Sequence, residues 1–192
     1  MPTGSRTALP AYKTEKETDN YGRVSDPLLF PQGRKLQKRQ CCQPRQGKHG
    51  DGGRVYCPAV GGDLFEIETV TPYAGDYRTC TEEAKRELSE GARPELKQYL
   101  RSLDGYDTVF VCGPCWWGTF PCAVFSQLKR LDFTGKKVIA VMTHEGSGLG
   151  HSEADLKKIC RGASFGRGIA VWGARAAESE REVSALARQA VK

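Results

Sequence analysis

From Asp63 onward, continuous apolar runs alternate with segments whose apolar residues recur at helical spacing. Leu64–Glu68 reads as a short strand that ends in charge. A polar stretch follows, with a helix predicted from Glu82 to Glu90, opened by Thr79 or Thr81 and interrupted by Gly91 and Pro94. Thr108-Val109-Phe110-Val111-Cys112 is an unbroken apolar run, as expected of a strand buried on both faces. Val124, Leu128 and Leu131 then repeat at i, i+4 and i+7, with Phe125 beside them, which is one face of a helix. Val138-Ile139-Ala140-Val141-Met142 is a second buried strand. Leu156, Ile159, Cys160 and Ala163 line the next helical face, and Ser152 with Asp155 three residues on resembles a capping box at its start. Ile169-Ala170-Val171-Trp172 reads as a third buried strand. A closing helix is expected over Ala176 to Ala190, with Val183, Leu186, Ala187 and Ala190 on one face.

Buried strands alternating with amphipathic helices predict an α/β fold, a doubly wound parallel sheet covered on both sides. In such sheets ligands bind at the carboxyl ends of the strands, near the point where the strand order reverses. The loops after Cys112, Met142 and Trp172 are therefore the ones that carry chemistry.

Charge divides the chain into two unlike pieces. It has 192 residues, with 29 Lys+Arg against 23 Asp+Glu and a formal net charge of +6. Residues 1–58 hold 11 basic and 5 acidic side chains, which is the whole excess, and six of the ten prolines. The expected division is a basic, Pro/Gly-rich, poorly ordered leader at 1–58 and one globular domain at 59–192. The basic segment Gln32 to Arg54 lacks zinc-finger spacing, a helix-turn-helix and interleaved aromatics, so nucleic acid is not an expected partner. Apolar residues make up 39% of the chain and mean hydropathy is −0.53. No apolar run approaches the roughly 18 residues of a membrane span, and no basic-then-apolar export segment follows Met1. The expected compartment is the cytoplasm, with no membrane partner. The eight cysteines are then read as mostly reduced thiols rather than a disulfide framework.

After the Thr108–Cys112 strand comes Gly113-Pro114-Cys115-Trp116-Trp117-Gly118-Thr119-Phe120-Pro121. Two adjacent tryptophans in a Gly/Pro turn point in different directions, so they are read either as rings that the loop packs on its own domain or as large flat surfaces at a strand end that suit stacking on a planar ligand. After the second strand comes Thr143-His144-Glu145-Gly146-Ser147-Gly148-Leu149-Gly150. Its glycines allow close backbone approach and positive φ, and its N–H groups with the hydroxyls of Thr143 and Ser147 can meet a ligand's polar edge. His144 has no partner at metal-ligand spacing and reads as a loop or supporting residue. Ser147 stands in no nucleophile elbow. Cys112-Gly113-Pro114-Cys115 has the residue types of a thioredoxin motif, but Gly118 and Pro121 interrupt the helix that such chemistry needs. A thiol oxidoreductase using Cys112 and Cys115 is the alternative this motif offers.

Together the two loops resemble those of the short bacterial flavodoxins, whose middle loop reads Pro-x-Trp-Trp-Gly-Thr and whose next reads Thr-His-Glu-Gly-Ser-Gly-Leu-Gly. Pro114 to Thr119 and Thr143 to Gly150 match residue by residue, and Asp63 to Ile67 and Ala92 to Leu96 also look like the family. The likeness runs from about Ala59 to the C-terminus. It implies a five-stranded parallel sheet in the order 2-1-3-4-5 that holds FMN noncovalently. The expected FMN-binding residues are Pro114, Cys115, Trp116, Trp117, Gly118, Thr119, Thr143, His144, Glu145, Gly146, Ser147 and Gly148. The tryptophan loop would flank the isoalloxazine ring, while Gly118, Thr119 and Thr143 to Gly148 would meet its polar edge. No catalytic or metal-binding residue is implied. The protein would carry electrons to a redox partner protein or from an NAD(P)H-linked reductase, or act as a flavin-dependent oxidoreductase.

The chain departs from the family before Asp63. A flavodoxin begins with an apolar strand and a Ser/Thr-x-Thr-Gly-x-Thr loop that opens a helix and holds the FMN phosphate. Thr3-Gly4-Ser5-Arg6-Thr7 has some of these letters and no strand before it. Strand 1 is expected to be missing or replaced, leaving a gap in the sheet. When the codons permitted for Lys48 to Cys57 are read one base forward, they allow Asn, Thr, Ala, Met, Val, Ala, Glu, Tyr, Ile, Ala, which reads as the end of a phosphate loop entering a helix. The N-terminal piece is then a frameshifted or degraded flavodoxin start. The expectation is an intact ring site with weak or lost FMN binding, and the second alternative is a cofactor-free remnant of the fold.

Overall fold

A computed structural model describes residues 28–32, 62–175 and 179–190. Among these residues eleven elements follow in chain order. They are β1 (Leu28–Gln32), β2 (Phe65–Glu66), α1 (Tyr77–Glu90), β3 (Thr108–Pro114), α2 (Cys122–Leu128), β4 (Lys137–His144), α3 (Ser152–Ile159), β5 (Ser164–Phe165), β6 (Ile169–Trp172), a 3-10 turn at Gly173–Arg175 and α4 (Glu180–Ala190). Apart from β1, the segment expected to be a poorly ordered leader lies outside the described residues, as do Thr3 to Thr7 and Lys48 to Cys57.

The strands form one sheet in the order β2-β1-β3-β4-β5, with β6 also on β4. β5 pairs with Lys137 and Val138 at the start of β4, and β6 pairs with Val141 to His144 at its end. The two short strands thus share one position as an interrupted edge. β3, β4, β5 and β6 are parallel, as the alternation of strands and helices predicts. The expected gap is filled. β1 lies between β2 and β3 and runs antiparallel to both, with Leu28 opposite Cys112 and Gln32 opposite Thr108. The sequence reading, which placed no strand before Asp63, is corrected at this point.

The two faces of the sheet bury different sets. On one, Val109, Val111, Val138, Ala140 and Met142 pack with Val124, Phe125 and Leu128 of α2 and Leu156 of α3. On the other, Phe110, Cys112, Ile139 and Val141 pack with Ala187 of α4, which that face shares with Ile169 and Val171. The alternation follows from the pleat, which sends successive side chains to opposite faces. Ala170 and Trp172 are exposed while Ile169 and Val171 are buried, so β6 is a half-buried edge strand and not the fully buried one expected. Among the described residues, no helix is long and apolar enough to cross a membrane.

Capping also differs from the expectation. α1 starts at Tyr77 because Asp76 caps it, accepting hydrogen bonds from the Thr79 N–H at 2.8 Å and the Thr79 hydroxyl at 2.7 Å. Gly91 ends it in the left-handed conformation, φ 62°. The capping box at Ser152 does not form. Ser152 is already inside α3 and its hydroxyl donates to the Leu149 carbonyl at 2.6 Å. α2 buries Gln127 completely, and its amide clamps one backbone unit. The Leu100 N–H donates to Oε1 at 2.9 Å and Nε2 donates to the Leu100 carbonyl at 3.0 Å.

Candidate functional site

β3, β4 and β6 end at one rim, where Pro114 pairs with Thr143 and His144 with Trp172. The chain leaving β3 stays tied to β4, since the Cys115 N–H donates to the Thr143 carbonyl at 2.8 Å. Trp116 to Thr119 then form a tight turn. The Trp116 N–H donates to the Thr119 carbonyl at 2.8 Å, and the Thr119 N–H returns to the Trp116 carbonyl at 3.2 Å. The central residues Trp117 and Gly118 have φ 53° and 85°, both in the left-handed half of the map, as a type I′ turn requires. Trp117 is the one non-glycine residue in that region among the described residues. An aromatic residue pays for such a backbone, so the turn fixes where this ring goes. The Trp117 ring is 47% exposed, and its N–H donates to the Thr81 carbonyl of α1 at 3.0 Å. The Lys85 Nζ sits 5.1 Å from the ring centroid. Trp116 is half-buried, with the ring of Tyr73 edge-on at 4.9 Å.

The loop after β4 closes against this turn. Gly150 takes φ 53°, and a Cβ there would lie 2.1 Å from the Gly118 carbonyl oxygen, so only glycine permits the contact. The His151 N–H donates to that same carbonyl at 2.8 Å. The Ser147 hydroxyl donates to Cys115 Sγ at 3.1 Å. His144 accepts the Gly146 N–H on Nδ1 at 2.9 Å and meets Trp172 edge-on at 5.2 Å. These contacts make it a loop-bracing residue.

The residues expected to bind are thus brought together, in unequal states. Pro114 is buried, Cys115, Gly118, His144 and Gly148 are half-buried, and Glu145, Gly146 and Ser147 are exposed. Thr119 is fully buried, and its hydroxyl donates to Asp155 Oδ2 of α3 at 2.9 Å. His151 Nε2 and Lys158 Nζ lie 3.4 and 3.0 Å from the same carboxylate. The Thr119 side chain is therefore spent on holding the turn to α3. Thr143 is the opposite case. Its hydroxyl oxygen is buried with no hydrogen-bond partner among the described residues. A buried hydroxyl left unpaired costs about 1–3 kcal/mol, and this one belongs to the β4 residue that pairs with Pro114, at the rim from which both loops leave. Two aromatic residues at the rim were missed. Trp172 is 47% exposed beside the Gly-rich loop, and Tyr73 braces Trp116. Trp172 ends an edge strand, where an exposed aromatic residue stands out once the alternation of β6 is known.

The thioredoxin-like alternative fails on geometry. Cys112 is buried in the cluster against α4, whereas Cys115 packs on the opposite cluster. Burial holds the Cys112 thiol well above its usual pKa, against the direction a nucleophile needs. Both are free thiols.

The family pattern described as Flavodoxin matches residues 53–184. The chain belongs to the flavodoxin family. No curated protein sequence matches this flavodoxin. Among solved structures, a candidate flavoprotein of Bacteroides uniformis ATCC 8492 superposes with TM-score 0.64 at 27% identity, over 73% of this chain and 90% of that one. A second, from Bacteroides eggerthii DSM 20697, gives 0.65 at 24% identity, over 77% and 92%. These likenesses confirm the flavodoxin-like α/β fold.

Measured against a flavin, the site of this flavodoxin fits at one end. The exposed indole of Trp117, the unpaired hydroxyl of Thr143 and the glycine loop suit a planar ring with a polar edge. Among the described residues nothing forms a phosphate cradle. The basic side chains beside the two loops already have partners, Lys85 over Trp117 and His151 and Lys158 on Asp155, and Glu145 is exposed in the loop itself.

Proposed function

We propose that the protein binds a flavin through its isoalloxazine ring and carries electrons between redox partners, such as a partner protein or an NAD(P)H-linked reductase. The observation that carries this reading is the interlock of the two family loops at the rim where β3 and β4 end. A bound flavin supplies the one- and two-electron chemistry. The chain's own part is to place and enclose it. Trp116 and Trp117 offer apolar faces that exclude water from a ring. The Thr143 hydroxyl and the loop N–H groups of Ser147 and Gly148, which have no acceptor among the described residues, offer polar partners for its edge. Asp155, through Thr119, and His144, through Gly146, keep both loops in place.

Titration of the full chain with FMN, followed by visible absorbance and flavin fluorescence, tests the reading. Saturable binding is expected, weaker by at least about fivefold in Trp117→Ala, since stacking on an aromatic face is worth roughly 1 kcal/mol or more. The absence of any saturable change favours the second reading, a cofactor-free flavodoxin fold, to which the reversed direction of β1 lends weight.

A further inference from the structure

The direction of β1 bears on what the site can recognise. β3, β4 and β6 run toward the rim that carries the two loops. β1 runs away from it, so its carboxyl end, Gln32, lies level with Thr108 at the opposite rim. At about 3.3 Å per residue, the length of β3 separates the two rims by roughly 20 Å. A helix-opening anion loop serves a ligand only where the strand before it ends at that ligand. β1 occupies the position next to β3 from which such a loop would come, and points it the wrong way. The sequence agrees, since no Ser or Thr occurs between Gln32 and Gly62.

We infer that this site recognises the isoalloxazine ring alone and does not discriminate FMN from riboflavin. The inference rests on the proposed ring site and adds a statement of specificity to it. Among the described residues, the phosphate of FMN gains no fixed donor. Two or three charge-assisted hydrogen bonds in a preformed cradle would favour FMN by roughly a hundredfold or more.

The test is a parallel titration of the full chain with riboflavin and with FMN, at an ionic strength of about 0.15 M, where long-range attraction is screened. Flavin fluorescence and tryptophan quenching are followed for both. The expected result is two dissociation constants that agree within about threefold, with inorganic phosphate failing to displace FMN. FMN binding tighter than riboflavin by about tenfold or more overturns the inference and leaves the ring site standing. If neither flavin binds, the inference and the proposed function fall together.

Discussion

Thr143→Val is expected to move stability and binding in opposite directions. The substitution exchanges a hydroxyl for a methyl group at a residue 8% exposed near the end of β4, and both side chains are β-branched and suit a strand. The hydroxyl oxygen has no partner among the described residues. Its desolvation is a cost that the valine removes, which returns about 1–2 kcal/mol. For a domain of this size that raises the thermal midpoint by roughly 3–6 °C. A flavin that completes the hydroxyl gains about 0.5–1.5 kcal/mol from it. Losing that bond weakens the dissociation constant by about 2- to 12-fold. Thermal melts of the ligand-free protein and urea unfolding with an unchanged slope measure the first effect, and flavin titration measures the second. A variant that melts lower and binds flavin as tightly as the parent would refute both halves of the reasoning.

Other substitutions probe the frame around the site. Gly150→Ala drives a Cβ to 2.1 Å from the Gly118 carbonyl oxygen. It should unlock the two loops, cost more than about 2 kcal/mol and abolish saturable flavin binding. Gly135→Ala, at φ 72° with nothing within 4 Å, is the control. It should cost about 1 kcal/mol and leave binding unchanged. Gln127→Leu strands the N–H and carbonyl of Leu100, which should lower stability by roughly 2–4 kcal/mol in urea unfolding. Burial lifts the Glu87 carboxyl above its usual 4.5, although the Tyr73 hydroxyl donates to it at 2.7 Å and opposes the shift. The fold therefore favours the protonated acid. Its contribution is full below about 4.5 and is lost as pH rises through the raised value. Glu87→Gln should be more stable than the parent near neutral pH, with the gap closing as pH falls below about 4.5 in acid titration of the melting temperature.

The central strands and both rim loops were legible because their signals are local. Val109 to Cys112 and Val138 to Met142 are unbroken apolar runs, and the tryptophan and glycine loops follow them directly. β1 was not legible. Leu28-Leu29-Phe30-Pro31-Gln32 is short, sits in the basic segment, and carries a proline, which cannot donate to a ladder and so argues against a strand with neighbours on both sides. The start of α1 was displaced because Asp76 binds the threonine that was read as the cap. The role of Gln127 depends on Leu100, 27 residues away, and no periodicity encodes that. Ile169 to Trp172 are all apolar, so sequence alone could not separate an edge strand from a central one. Thr119 looked like a ligand contact because its motif ends there, yet a residue of α3 had already claimed its hydroxyl.

β1 also decides whether β3 has an open side. β2 joins it only through β1 among the described residues, and β1 covers Thr108 to Cys112 of β3 along its whole length. A chain cut after Gln32 would strip that cover. It would leave a row of unpaired backbone groups on an apolar strand, a template on which a second molecule can add. For this flavodoxin, five residues from its least family-like segment separate a covered central strand from a sticky one.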